Sequence, residues 1–152
     1  MSLSQLYRVC NEYSKYNYID ADFSNYHIKS VSEFNSRRGG VCWDFMAPMA
    51  KAIDDAGYIY HCYFTGLHKD DRMIGTHTYI IVRDGSFRYW IECAWQKNKG
   101  VHLVFSYKDV ERLLKSEYHA DEVYTVAYNP FDVVGMTDNE FFDYLEREGV
   151  EL

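Results

Sequence analysis

Residues 37–45 read RRGGVCWDF (Arg37 to Phe45). Two glycines stand before Cys42, and an apolar pattern opens at the cysteine itself. Cys42, Phe45, Met46, Met49, Ala50 and Ile53 recur at spacings of three and four, one face of a helix over Val41 to Ala56. Gly57 closes it as a C-terminal cap. Pro48 lies inside and is expected to kink the helix without ending it, since the apolar face continues beyond it. Cys42 thus falls at a helix start, where unpaired N–H groups and the dipole favour the thiolate, the reactive form of cysteine. Gly39 and Gly40 suggest a flexible approach, with room for a substrate and for unusual backbone angles. The plain alternative is a small apolar cysteine buried for packing.

Downstream of Gly57 the period changes. Tyr58 to Leu67 reads as a strand and His68 to Gly75 as a polar loop. THTYIIVR (76–83) and FRYWIECAW (87–95) are β-rich and joined by Asp84-Gly85, a strong hairpin signal. Val101 to Ser106 is a further strand, Tyr107 to Tyr118 a helix capped by Ser106, and Glu122 to Tyr128 a last strand. Thr137 to Glu140 is a capping-box signature opening a helix through Glu148. Upstream, Leu3, Leu6, Tyr7, Cys10, Tyr13 and Ser14 keep helical spacing to about Lys15. Residues 17–35 read as irregular, with a short turn near Ser32. Helices first, then hairpins, then a helix, a strand and a closing helix indicate an α+β domain, a single one over residues 1–152.

Two residues of the hairpin can serve Cys42. His77 opens its strand after a polar stretch, with Tyr79 on its own face and Ile80 and Val82 on the other. Glu92 stands in an aromatic strand, where a buried carboxylate without a partner is costly. Its face carries Trp90 and Ala94, with Ile91, Cys93 and Trp95 opposite. A turn centred on Asp84-Gly85 sets Glu92 nearly across from His77, at the ~5 Å Cβ spacing of cross-strand partners. Nucleophile on a helix, base on a strand and an acid that orients the base is general triad logic. The bland readings are a structural histidine and a solvated glutamate. The other five histidines lack comparable company.

Over roughly residues 36–96, GVCWDF followed by a histidine strand and an acidic strand resembles the transglutaminase-like superfamily, of papain-like fold. The resemblance implies an antiparallel sheet packed against a helix that carries the cysteine at its N-terminus. It implies Cys42, His77 and Glu92 as catalytic residues, with no cofactor and no metal. Glu92 stands where that superfamily usually has Asp, one methylene shorter. The backbone N–H of Cys42 is one candidate oxyanion donor, and Asn35, Tyr26 and Gln5 are candidates for the other. The RGGxC stretch is also similar to arylamine N-acetyltransferases, which share the triad order but are much longer chains.

The implied activity is attack on an amide or thioester through an acyl-enzyme, by a hydrolase (peptidase or amidase) rather than a transglutaminase. A non-catalytic module that binds a peptide or protein on the same fold is the alternative. A metal site is a third reading, from Cys42, His61, Cys62, His77, Glu92 and Cys93. Its adjacent pairs His61-Cys62 and Glu92-Cys93 point to opposite strand faces, and the spacing matches no zinc pattern.

Composition narrows the partners. The formal net charge of −7 argues against nucleic acid, which demands phosphate-neutralising Lys and Arg. Basic residues are scattered and form no polybasic run for a membrane surface. A peptide or protein substrate is expected, and the 15 tyrosines suit a half-wet cleft. The N-terminal stretch has no signal-peptide core and no apolar run nears the ~20 residues of a membrane span, so a cytoplasmic protein is expected. Cys10, Cys42, Cys62 and Cys93 form no CxxC and should be free thiols there. Cys10, Cys62 and Cys93 should be structural and unreactive.

Overall fold

The computed structural model describes residues 3–151. Helix α1 (Leu3–Tyr13) is followed by β1 (Asn17–Tyr18), α2 (Val31–Arg37), β2 (Gly39–Gly40) and α3 (Cys42–Asp55). Then come strands β3 (Ile59–Lys69), β4 (Arg72–Asp84), β5 (Phe87–Glu92) and β6 (Gly100–Val104), helix α4 (Tyr107–Tyr118), β7 (Glu122–Tyr128), α5 (Asp138–Glu148) and β8 (Val150–Glu151). The main sheet has six strands in the order β6-β5-β4-β3-β7-β8, antiparallel throughout.

Alternation along the strands sends side chains to two cores. On one face Phe64, Ile80, Val82, Ile91 and Val126 meet Phe45, Met49 and Ile53 of α3, with α1 and α5 alongside. Each of those α3 side chains is fully buried, a gain of about 1.5–3 kcal/mol apiece. On the other face Leu67, Tyr79, Ile81 and Trp90 meet Val110 and Leu114 of α4. The division of β4 into Ile80 and Val82 against Tyr79 follows the alternation expected from sequence. For β5 that expectation holds to Cys93, which stays on the Ile91 side, and then fails. The strand ends at Glu92 and the chain bends, so Ala94 joins the α3 side and Trp95 the α4 side.

Helix α3 is unbroken through Pro48. Its end is a Schellman motif: Tyr58 N–H donates to the Ile53 carbonyl and Gly57 N–H to that of Asp54, with Gly57 at φ 82°. The expected polar loop 68–75 is instead the tip of a long hairpin. His68 pairs with Met73 and Lys69 with Arg72 around Asp70-Asp71, both at positive φ as a type I′ turn requires. The tip projects past both cores, so burial imposes no alternation on its sequence.

Residues 17–35 also depart from expectation. Ser30 and Glu33 form a capping box that starts α2. The two glycines are not a flexible approach: Gly39 and Gly40 are buried and pair in parallel with Asn17 and Tyr18. A Cβ on Gly39 would lie 1.9 Å from the Asn17 carbonyl oxygen, and one on Gly40 would lie 2.5 Å from Asp44 Oδ2. These glycines therefore admit neighbouring protein atoms, and Gly39, at φ 146°, also supplies the unusual backbone angle.

Candidate active site

Cys42 is the first residue of α3, and its position is set by the buried carboxylate of Asp44. Asp44 Oδ2 accepts the Val41 N–H at 2.9 Å, while Oδ1 accepts the Tyr26 hydroxyl at 2.8 Å and the Lys29 N–H at 2.9 Å. One side chain thus ties the helix start to the 26–29 segment. Cys42 is 7% exposed, and it lines a cavity of about 300 Å³ together with His77, Trp95, Leu114, Tyr118 and Tyr18 among others.

His77 enters from β4 and is held on three sides. Tyr79 stacks on it at 5.9 Å between centroids, Trp95 meets it edge-on at 5.5 Å, and its Nε2 lies 2.6 Å from Glu92 Oε1. Cys42 also acts on this imidazole, and with Nε2 given to Glu92 the ring nitrogen left to serve it is Nδ1. Burial alone would depress the imidazole pKa. The charge of Glu92 and the hydrogen bonds to Cys42 and Glu92 overcome it and raise the pKa to about 10.

Glu92 is 2% exposed and fully engaged. Oε1 faces His77, and Oε2 accepts the N–H groups of Ala94 at 3.0 Å and Trp95 at 2.9 Å. The bend that ends β5 therefore turns two backbone donors onto the carboxylate. Glu92 and His77 meet as expected, but by a different register. The ladder pairs Ile80 with Ile91 and Asp84 with Phe87, so the turn is Gly85-Ser86. Gly85 has φ 60° and Ser86 no positive φ, the type II′ pattern with glycine first. One step beyond Ile80–Ile91, Tyr79 stands opposite Glu92, which makes His77 a diagonal neighbour on the same face.

The oxyanion candidates Tyr26, Asn35 and Gln5 do not line this cavity. The Tyr26 hydroxyl is committed to Asp44, and the Asn35 side-chain oxygen accepts from Tyr16 at the surface. Tyr18, Gln96 and Tyr118 do line it, and no local pattern in the sequence marks them. A larger cavity of about 650 Å³, walled by Tyr60, His61, Tyr144 and Glu148, touches neither Cys42 nor His77. Volume alone does not bring Cys42 and His77 together, so the smaller cavity is the candidate site.

The other thiols differ in environment. Burial pushes Cys62 up to about 12. Cys10 and Cys93 lie with sulfurs 3.9 Å apart. The hydrogen bond from Cys93 lowers Cys10 to about 7, and Cys93 is itself raised, first by that bond and then by burial. Cys10 is 3% exposed, so access rather than acidity limits it. Among the described residues no group of three or more His, Cys, Asp or Glu is placed to hold a metal, and no helix is long and apolar enough to cross a membrane.

No protein-family model and no curated protein matches the sequence. LapG of Legionella pneumophila is a structural match with TM-score 0.55 and 13% identity, over 94% of this chain and 74% of that one. An arylamine N-acetyltransferase of Bacillus cereus, described as having a unique Cys-His-Glu catalytic triad, matches 62% of this chain at TM-score 0.47 and 16% identity. This chain spans 42% of that protein's length. What the comparisons and the architecture establish is the fold: α+β, papain-like and transglutaminase-like, with an antiparallel sheet against a helix that begins at its cysteine.

Proposed function

We propose that this protein is a cysteine-nucleophile enzyme that cleaves an amide or thioester through an acyl-enzyme on Cys42. The observation that supports it best is the continuous line from the anchored Glu92 through buried His77 to Cys42, opening on a cavity. A histidine raised to about 10 carries a proton at neutral pH, and an imidazolium beside a cysteine sulfur favours its reactive form.

In this reading the Cys42 thiolate attacks the substrate carbonyl carbon, and the π-electron pair moves to oxygen. Collapse of the tetrahedral adduct breaks the bond to the leaving amine or thiolate, which takes the Nδ1 proton of His77. Water then adds to the thioester, giving its proton to Nδ1, and the acid product leaves with Cys42 restored. Glu92 holds Nε2–H throughout, which keeps Nδ1 free to exchange a proton with substrate. The Cys42 backbone N–H, in the first turn of α3 where N–H groups have no partner within the helix, is one oxyanion donor.

A hydrolase on a peptide or protein is preferred to a transglutaminase because water, as the acyl acceptor, needs no binding subsite of its own beside the acyl group. The test is incubation with p-nitrophenyl acetate and with iodoacetamide, read by peptide mass spectrometry and nitrophenolate release. Acetylation and turnover at Cys42, lost in Cys42→Ala, are expected. If Cys42 reacts with neither reagent faster than the other thiols, the enzyme reading fails and the peptide-binding module takes its place.

A further inference from the structure

Two buried thiols that acyl transfer does not use meet directly behind the carboxylate that holds His77. Cys10 lies on the buried side of α1, and Cys93 follows Glu92 at the end of β5, with the two sulfurs 3.9 Å apart. The Cys93 thiol also lies 3.6 Å from the Cys10 carbonyl oxygen, and the Cys10 thiol donates to the Glu92 carbonyl at 3.7 Å. These contacts join α1 to the bend at residues 92–95. The same bend turns the Ala94 and Trp95 N–H groups onto Glu92 Oε2.

Sulfurs this close need to approach by only about 2 Å to reach the length of a disulfide bond. The direction of that movement matters. Both thiols belong to the core on the α3 side of the sheet, whereas the Glu92 carboxylate meets His77, which stacks on Tyr79 of the opposite core. Contraction of the pair draws residue 93 toward α1, and with it the amides of residues 94 and 95 away from the carboxylate they hold. The two sulfurs also differ in readiness. The hydrogen bond from Cys93 lowers Cys10 to about 7, so that Cys10 supplies a thiolate at neutral pH, while Cys93 stays protonated. Cys10 is 3% exposed and Cys93 1%, so only a small oxidant reaches them.

We propose that Cys10 and Cys93 are a redox-modification site that hydrogen peroxide closes into a reversible disulfide, and that closing it loosens the backbone hold on Glu92. The Cys10 thiolate attacks one peroxide oxygen, the O–O bond breaks, and the departing hydroxide takes a proton to leave as water. Cys10 is then a sulfenic acid. The Cys93 sulfur attacks the Cys10 sulfur, the S–S bond forms, the S–O bond breaks, and the Cys93 proton leaves with the hydroxide as a second water. Two thiols have lost two electrons and two protons, and one peroxide has become two waters. A dithiol returns the electrons by exchange.

The test is made in Cys42→Ala, because Cys42 is itself an oxidisable thiol. The variant is treated with hydrogen peroxide at the dose that consumes Cys42 in the wild type, then digested and mapped by mass spectrometry. A Cys10–Cys93 cross-linked peptide that dithiothreitol releases is expected, with Cys62 left as a free thiol. In the oxidised form, hydrogen exchange at the Ala94 and Trp95 amides should quicken by about tenfold, as for loss of a hydrogen bond to a charged group. The NMR titration midpoint of His77 should fall as Glu92 loosens. The double variant Cys42→Ala with Cys93→Ala, treated alike, should show neither change. Absence of the cross-link, or oxidation of Cys10 to a sulfinic acid with Cys93 untouched, would overturn the proposal. So would a cross-link that leaves the amide exchange or the His77 midpoint unchanged. None of these readouts needs the Cys42 sulfur, so their failure leaves the acyl-enzyme reading standing, and failure of that reading leaves the disulfide.

Discussion

Glu92→Gln exchanges one oxygen for an amide nitrogen without changing shape, and the geometry dictates how the amide must turn. Oε2 of Glu92 faces two N–H donors, from Ala94 and Trp95. An NH₂ group there would oppose both donors, at about 1–3 kcal/mol for each buried group left unsatisfied. The amide oxygen therefore takes the Oε2 position, and the NH₂ takes the place of Oε1, 2.6 Å from His77 Nε2. A donor there requires Nε2 to be an acceptor, so the imidazole proton moves to Nδ1 and the ring is neutral. The variant also loses the largest influence that raises the His77 pKa, leaving burial to depress it. Both effects point the same way: at pH 7 the Cys42 sulfur faces a neutral imidazole of the wrong tautomer, with no adjacent positive charge to activate it. Acylation of Cys42 should fall by about 10³–10⁴-fold, as tautomer inversion costs in other triads, and less than on removal of the nucleophile. The assay is the rate of Cys42 acetylation by p-nitrophenyl acetate from pH 5 to 10, alongside iodoacetamide alkylation. Retention of more than a tenth of the wild-type rate at pH 7, with an unchanged pH profile, would refute the reasoning.

Stability should follow the titration of His77. Its folded pKa of about 10 lies above the usual 6.5, so its contribution is complete below about pH 6.5 and is lost as pH rises through 10. Urea midpoints of wild type should drop over that window more than those of His77→Gln, and parallel curves would count against it. Gly40→Ala sets a methyl 2.5 Å from the Asp44 carboxylate and should destabilise by about 1–3 kcal/mol through overpacking, read as a lower thermal midpoint; no change would mean that Asp44 yields freely. Cys93→Ala removes the S–H that chiefly lowers Cys10. The pH midpoint for labelling Cys10 should rise from about 7, whereas a fixed midpoint would assign the lowering to another group.

Much of this fold is legible because its signals are local. Ser106 and Thr137 cap α4 and α5 where the capping pattern sets them, and Gly57 ends α3 by a motif that needs one residue free of a Cβ. What escaped depends on distant partners or on the absence of burial. The Asp70-Asp71 hairpin tip has no core to alternate against. The pairing of Asn17-Tyr18 with Gly39-Gly40 joins segments some 20 residues apart, and nothing in either sequence names the other. Cys42, His77 and Glu92 could be singled out because chemically reactive residues are few and their order along the chain is informative. Tyr18 could not, since one tyrosine among 15 carries no mark.

The glutamate, in place of the aspartate usual in the superfamily that the sequence resembles, finds its reason in the register. With the turn at Gly85-Ser86, the residue opposite Glu92 is Tyr79, and His77 lies two residues further along β4. Directly opposed partners have Cβ atoms about 5 Å apart, but a diagonal pair stands at roughly 7–8 Å, within reach of longer side chains only. Glutamate supplies the extra methylene. The same length carries the second oxygen to the N–H groups of Ala94 and Trp95, which face back because the strand ends at Glu92. A one-residue change of slip in this hairpin would send Glu92 to the α3 face, while a slip of two would set it directly across from His77 and favour the shorter acid. Acid length and turn position are therefore coupled, and the Gly85-Ser86 turn selects the glutamate as much as the histidine does.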